Sequence, residues 1–214
     1  LIDSCVLLVI PVFNIDGHER ISPYNRINQN GPEEMGWRTT AQNLNLNRDF
    51  TKADAPEMKA FLKLFNEWLP DFWFDVHTTN GADYQYTITY AIETDKNTAD
   101  VSSRWINNAF LPYVLNATEK AGYLIAPYVD FRDGDPKKGL IDWVTPPRFS
   151  HGYAAARNRP GLLIETHMLK PYKERVFSTI ALITASLQFI NRNHKELIEI
   201  NVQADKERIE KYYF

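Results

Sequence analysis

PDFWFDVHTTNG, residues 70–81, decides between a helix and a buried strand. Pro70 stops whatever helix precedes it. Residues 72–76 form a short apolar and aromatic run. Such a run, bounded by turn signals, reads as a strand buried in a largely parallel sheet. The strand ends on Asp75-Val76-His77, and two threonines, an asparagine and a glycine follow. Ligands of open α/β sheets bind beyond the carboxyl ends of the strands. His77 therefore stands either as a group aimed into a crevice or as a plain polar residue satisfied at a strand end.

Upstream, Met58, Phe61, Leu62, Phe65, Trp68 and Leu69 fall on one face at helical spacing. Asp54 is the expected N-cap of that helix, with Glu57 as its capping-box partner. Residues 5–10 (CVLLVI) are a continuous apolar run stopped by Pro11 and are expected as a buried strand. Residues 13–50 are rich in Asn, Gly, Pro and Arg without helical or strand period. A loop of that length inside a compact domain is usually functional. Downstream, residues 84–92 (YQYTITYAI) alternate as a strand. A helix is expected over 99–118, a strand in LIAPYV (124–129) and a long loop over 130–152. PGLLIETH (160–167) is a third apolar strand, and a long amphipathic helix starts at Lys170-Pro171 and runs to about 192. Strands alternating with helices predict an α/β fold.

The chain has 214 residues, 44% of them hydrophobic and 24% charged, which suits one globular domain with a sizeable core. A net charge of −3 gives no electrostatic case for nucleic acid or anionic membrane as partner. The apolar runs are too short to span a bilayer. One cysteine, Cys5, excludes an internal disulfide. Ser150 and His151 are adjacent and no Gly-x-Ser-x-Gly elbow exists, which argues against a serine hydrolase.

Glu165 lies at the end of that third apolar strand, and a carboxylate there is expensive to bury unpaired. It belongs either to the same crevice as His77 or to an ion pair with Arg157 or Arg159. In NLNLNRDF (43–50), Asn47 and Arg48 can hold a carboxylate through an amide and a bidentate fork. Turn capping by asparagine is the plainer reading. Arg26 lies in the polar loop YNRINQNGP (24–32), where solvation is the default.

Together and in this order, these elements resemble the zinc carboxypeptidase family of metallopeptidases. NIDG (14–17) is similar to that family's Asn-Pro-Asp-Gly element, and RIN (26–28) to its Arg-x-Asn element. LNLNRDF (44–50) is similar to its Leu-Asn-Arg-Asn-Phe element, with Asp49 as the departure. DVHTTNG (75–81) resembles its Asp-x-His strand end, and LLIETH (162–167) its strand-borne glutamate. The resemblance implies a three-layer α/β/α sandwich with a mixed, mostly parallel sheet. It implies a catalytic domain over 1–193 and a charged helical extension over 194–214. It also implies a zinc-dependent peptidase that removes a C-terminal residue from a peptide with a free carboxylate, and a secreted or periplasmic setting.

By the same resemblance His77 is a zinc ligand and Glu165 the general base. Arg26 stabilises the oxyanion, with Arg38 as the fallback, and Asn47 and Arg48 grip the terminal carboxylate. Zinc activates water and polarises the scissile carbonyl in such sites. Asp75 is a candidate to orient a ligand from behind. The family's tyrosine some twenty residues before the glutamate has no counterpart here; Trp143 stands in that window. Tyr153 is the nearest candidate, either closing over substrate or packing. The family's other two ligands form a His-x-x-Glu pair, and none of the five histidines, His18, His77, His151, His167 and His194, starts one. That pair is expected upstream of Leu1, with true loss of the pair as the alternative. Two other readings stay open: a deacylase of N-acyl amino acids on the same scaffold, and a non-catalytic module that binds peptide C-termini.

Overall fold

The computed structural model describes residues 2–79, 83–94, 97–128, 130–141 and 143–211, with side chains to 207. The apolar stretches of the sequence become, in chain order, α1 (Ile15–Glu19), α2 (Pro56–Trp68), β1 (Trp73–Thr78), β2 (Ile88–Ala91), α3 (Asp100–Trp105), α4 (Leu111–Lys120), β3 (Ile125–Pro127), β4 (Asp130–Phe131), β5 (Leu140–Ile141), α5 (Ser150–Ala156), β6 (Gly161–Thr166), α6 (Tyr172–Arg192) and α7 (His194–Lys211). The main sheet has the order β1-β6-β2-β3. β1 and β6 run parallel, as do β2 and β3, while β2 meets β6 antiparallel. The sheet is thus mixed and mostly parallel, as the resemblance implies.

Period-two alternation sorts the strands' side chains onto two faces. Leu162, Ile164, Ile88 and Phe74 join one core with Phe110, Val114, Leu182, Phe189, Leu197 and Ile200 from the helices of one layer. α3 and α4 form a single rod through a π-helical stretch, Ile106–Phe110, which covers the helix expected at 99–118. On the opposite face Trp73 packs with Phe50, Met58, Phe61, Phe65 and Tyr153, a second cluster under α2 and α5. α7 lays Leu197, Ile200 and Ala204 into the interior, and Arg159 grips its Asp205 with two bonds of 3.1 Å. No described helix is long and apolar enough to cross a membrane.

Three local expectations are corrected. Among the described residues, 5–10 join no ladder; Val6, Leu7, Leu8, Val9 and Ile10 are exposed, Val6 by 79%. Apolar composition makes a strand only where a neighbouring strand takes its N–H and C=O groups. The N-cap of α2 is Ala55, without a side-chain cap bond. Asp49 reaches in instead: its carboxylate accepts from the N–H of Asp54 at 3.0 Å and of Ala55 at 2.9 Å. Asp54 turns outward to Lys52. The 130–152 loop contains the β4–β5 ribbon and the first three residues of α5.

Asp49 is buried, so Asp49→Ala leaves two N–H groups at the start of α2 without their acceptor. An orphaned buried donor costs about 1–3 kcal/mol. Urea denaturation is expected to show a loss in that range, with Asp49→Asn recovering part of it.

Candidate functional site

β1 and β6 bring the two strand-end groups together. Asp75 and His77 are two residues apart and so share a face of β1, and His77 stands beside Glu165 in the parallel register. Thr89 of β2 is Glu165's partner on the other side. His77 Nε2 lies 2.6 Å from Asp75 Oδ2. A carboxylate only accepts, so Nε2 carries the proton and, in the neutral ring, Nδ1 keeps its lone pair. Burial acts to raise the Asp75 carboxyl. The charge and hydrogen bond of His77, with a hydrogen bond from Ser150, outweigh it and hold Asp75 below the usual carboxylate range. Burial likewise acts to lower the His77 imidazole, and Asp75 and Glu165 outweigh it and raise it.

Glu165 does not form the ion pair with Arg157 or Arg159 that the sequence left open. Arg159 serves Asp205, and Arg157 bonds Asn66 and Tyr153. Glu165 is buried, and among the described residues its Oε2 has no hydrogen-bond partner. Burial, reinforced by Asp75, pushes its carboxyl up to about 7 against the pull of His77, Arg38 and Arg48.

The long loop supplies these cations. Asn47 and Arg48 occupy a 3-10 turn, Leu46–Arg48, capped by the Asn45 side chain. Arg48 Nη1 donates to Asn47 O at 2.5 Å, and its guanidinium sits 4.4 Å from the Phe149 ring centroid. Arg26 has a left-handed backbone (φ 52°). Its guanidinium is lowered by burial and by the charge of Arg38. Arg38 acts in turn on both His77 and Glu165. Tyr128, which carries no spacing signal in the sequence, joins the site from the end of β3. Burial and the neighbouring Glu165 push its phenol up to about 12.

Tyr153 packs. Its ring lies 5.8 Å from Phe50 and 5.4 Å from Phe65, and its hydroxyl accepts from Arg157 at 3.2 Å. His151 is buried, bonds Thr145 Oγ1 at 2.9 Å and is lowered by burial to about 4, so it stays neutral. Gly152 makes that contact possible: a Cβ there would lie 2.5 Å from the carbonyl oxygens of both Thr145 and Pro146. His167, fully buried, accepts from the Tyr84 N–H at 3.0 Å and ties down the chain before β2. His18 pairs with Glu19 at the surface, and His194 caps Asn191 O at the start of α7.

The metal that the resemblance implies can be tested against these donors. His77 meets the usual form of a ligating histidine, with its second nitrogen held by a carboxylate. The unpartnered Glu165 Oε2 beside it fits a base waiting for water. Among the described residues, however, no group of three or more His, Cys, Asp or Glu could hold an ion. The described residues therefore present one histidine in the form a ligand takes, with an orienting carboxylate, and not a closed metal site.

No family model and no curated protein matches the sequence. Solved structures do match in fold. A protein of Shewanella denitrificans OS-217 assigned as a carboxypeptidase A superposes with a TM-score of 0.53 at 16% identity, over 75% of this chain and 42% of that one. A Burkholderia mallei protein assigned as a carboxypeptidase gives 0.50 at 14%, over 73% and 41%. A metallo-carboxypeptidase from Burkholderia cenocepacia gives 0.49 at 14%, over 74% and 42%. The chain thus has a carboxypeptidase-like α/β fold, and it spans about two fifths of the length of the structures it resembles.

Proposed function

We propose that this chain carries one part of a metal-dependent hydrolytic site that cleaves the C-terminal amide bond of peptides. The observation that supports the reading most is Glu165: buried, unpartnered at Oε2, poised near pH 7 and side by side with a histidine whose other nitrogen is held by Asp75. His77 Nδ1 would hold the ion, with further ligands supplied from beyond the described residues. When bound, zinc supplies Lewis acidity and lowers the pKa of water.

The rest is the work of this chain's residues. Glu165 Oε2 takes a proton from the attacking water as the water oxygen bonds to the scissile carbonyl carbon. It returns that proton to the nitrogen as the C–N bond breaks. A base with a pKa near the working pH suits both transfers. Arg26, or Arg38 beside it, faces the negative charge that develops on the carbonyl oxygen. Arg48, with Asn47, grips the terminal carboxylate. Asp75 keeps the His77 proton on Nε2.

Three substrate sets separate this reading from its rivals, each assayed on the protein in its native length with and without a chelator. Chelator-sensitive release of C-terminal residues from blocked dipeptides supports the peptidase. Turnover confined to N-acyl amino acids supports the deacylase. Peptide binding that survives chelation, with no turnover, supports the binding module and overturns the hydrolytic reading.

A further inference from the structure

We propose that the site takes a residue with two carboxylates, the C-terminal one and an acidic side chain, and that Arg148 reads the second. This rests on the carboxylate-binding reading of Arg48. Arg38 and Arg48 act on Glu165, and two further arginines, Arg26 and Arg148, stand within electrostatic reach of these two. Arg38 lowers Arg26, and Arg38 and Arg148 both act on Arg48 as like charges. Among the described residues none of the four makes an ion pair. Such a cluster repels itself until anions arrive.

Arg148 is held in a particular way. Its guanidinium lies 4.9 Å from the centroid of the Phe149 ring, the same ring that carries Arg48 at 4.4 Å. Trp143 abuts that ring edge-on at 5.6 Å. Stacking fixes where a guanidinium sits but uses none of its N–H donors. Arg48, one of whose Nη atoms already serves Asn47 O, and Arg148 are thus mounted on one aromatic plate, and Arg148 is exposed, its side chain making no hydrogen bond among the described residues. One terminal carboxylate occupies one fork. Arg26 and Arg38 stand by the reacting carbonyl. Arg148 remains for a side-chain carboxylate, as on glutamate or aspartate.

Calorimetric titration of the full chain tests this with N-acetyl-glutamate, N-acetyl-glutamine, N-acetyl-glutamate α-amide and inorganic phosphate. N-acetyl-glutamate is expected to bind about tenfold or more tighter than N-acetyl-glutamine, the gain of a charge-assisted bond. Arg148→Gln brings the two within about twofold, and Arg148→Lys restores part of the gap. Equal binding of the acid and the amide side chains in the unmodified chain overturns the inference; the carboxylate reading survives if the α-amide still binds worse. If the α-amide binds as well as the acid, the Arg48 reading falls, and this inference with it. Phosphate binding as tight as N-acetyl-glutamate reduces the cluster to an unselective anion trap and also overturns it.

Discussion

Glu165→Gln gains about 3 kcal/mol of stability relative to the unaltered chain between pH 4.5 and pH 8, measured by denaturation in chelated buffer. The sign follows from the direction of the shift. The Glu165 carboxyl stands at about 7 in the folded chain against an ordinary value of 4.5. Below 4.5 it is protonated whether folded or not, and it costs the fold nothing as a charge. As pH rises from 4.5 the unfolded chain ionises freely while the folded chain resists. Stability drains away until the folded group also ionises at about 7. Each unit of difference is worth about 1.4 kcal/mol. Glutamine has no such titration, so the gap opens across that window and then stays level. If Glu165 is the base, hydrolysis by the native-length protein falls about 10²–10⁴-fold in the same variant. Gain of stability with loss of rate marks a charge kept buried for chemistry. Loss of both would mark a structural carboxylate.

Phe110→Ala is expected to cost about 3–5 kcal/mol, the range for removing a fully buried aromatic side chain. That is a large part of the stability of an ordinary domain. Phe110 has no exposed surface. It stacks on Trp105 at 5.5 Å and 15° and meets Phe72 at 4.9 Å and Phe189 at 5.7 Å. It thereby ties the α3–α4 rod to the approach to β1 and to α6. Val76 is the control: it lies on β1 itself but is half exposed, and Val76→Thr is expected to change stability by no more than about 0.5 kcal/mol. Urea midpoints read both. A cost under about 1 kcal/mol for Phe110→Ala would mean that this core does not bear on the sheet.

The strands that build the site were legible because their physics is local. A short apolar run after a proline, and a second ending in Glu165, look the same whether or not their neighbours are known. Alternation then predicts that Asp75 and His77 share a face. The parallel register that sets His77 against Glu165 was not legible, because it depends on which strands pair. Residues 5–10 show the converse: at least as apolar as β6, they pair with no described strand and Val6 to Ile10 stand exposed, since composition records burial tendency and not partners. The capping pattern points to the nearest acid, Asp54, while the group that reaches the N–H donors of α2 is Asp49, brought back by a 3-10 turn. Tyr128 and Arg148 had no signal at all. Each lies in irregular chain, and only the packing around Glu165 and Phe149 shows where they point.

The most direct test is a carbon NMR titration of the Glu165 side-chain carboxyl in the metal-free chain, repeated in His77→Ala. A midpoint near 7 that moves higher when the histidine is removed is expected, because His77 pulls the Glu165 carboxyl down. A midpoint near 4.5, unmoved by the substitution, would mean that the two strand ends do not share a crevice, and the proposed site would fall with them.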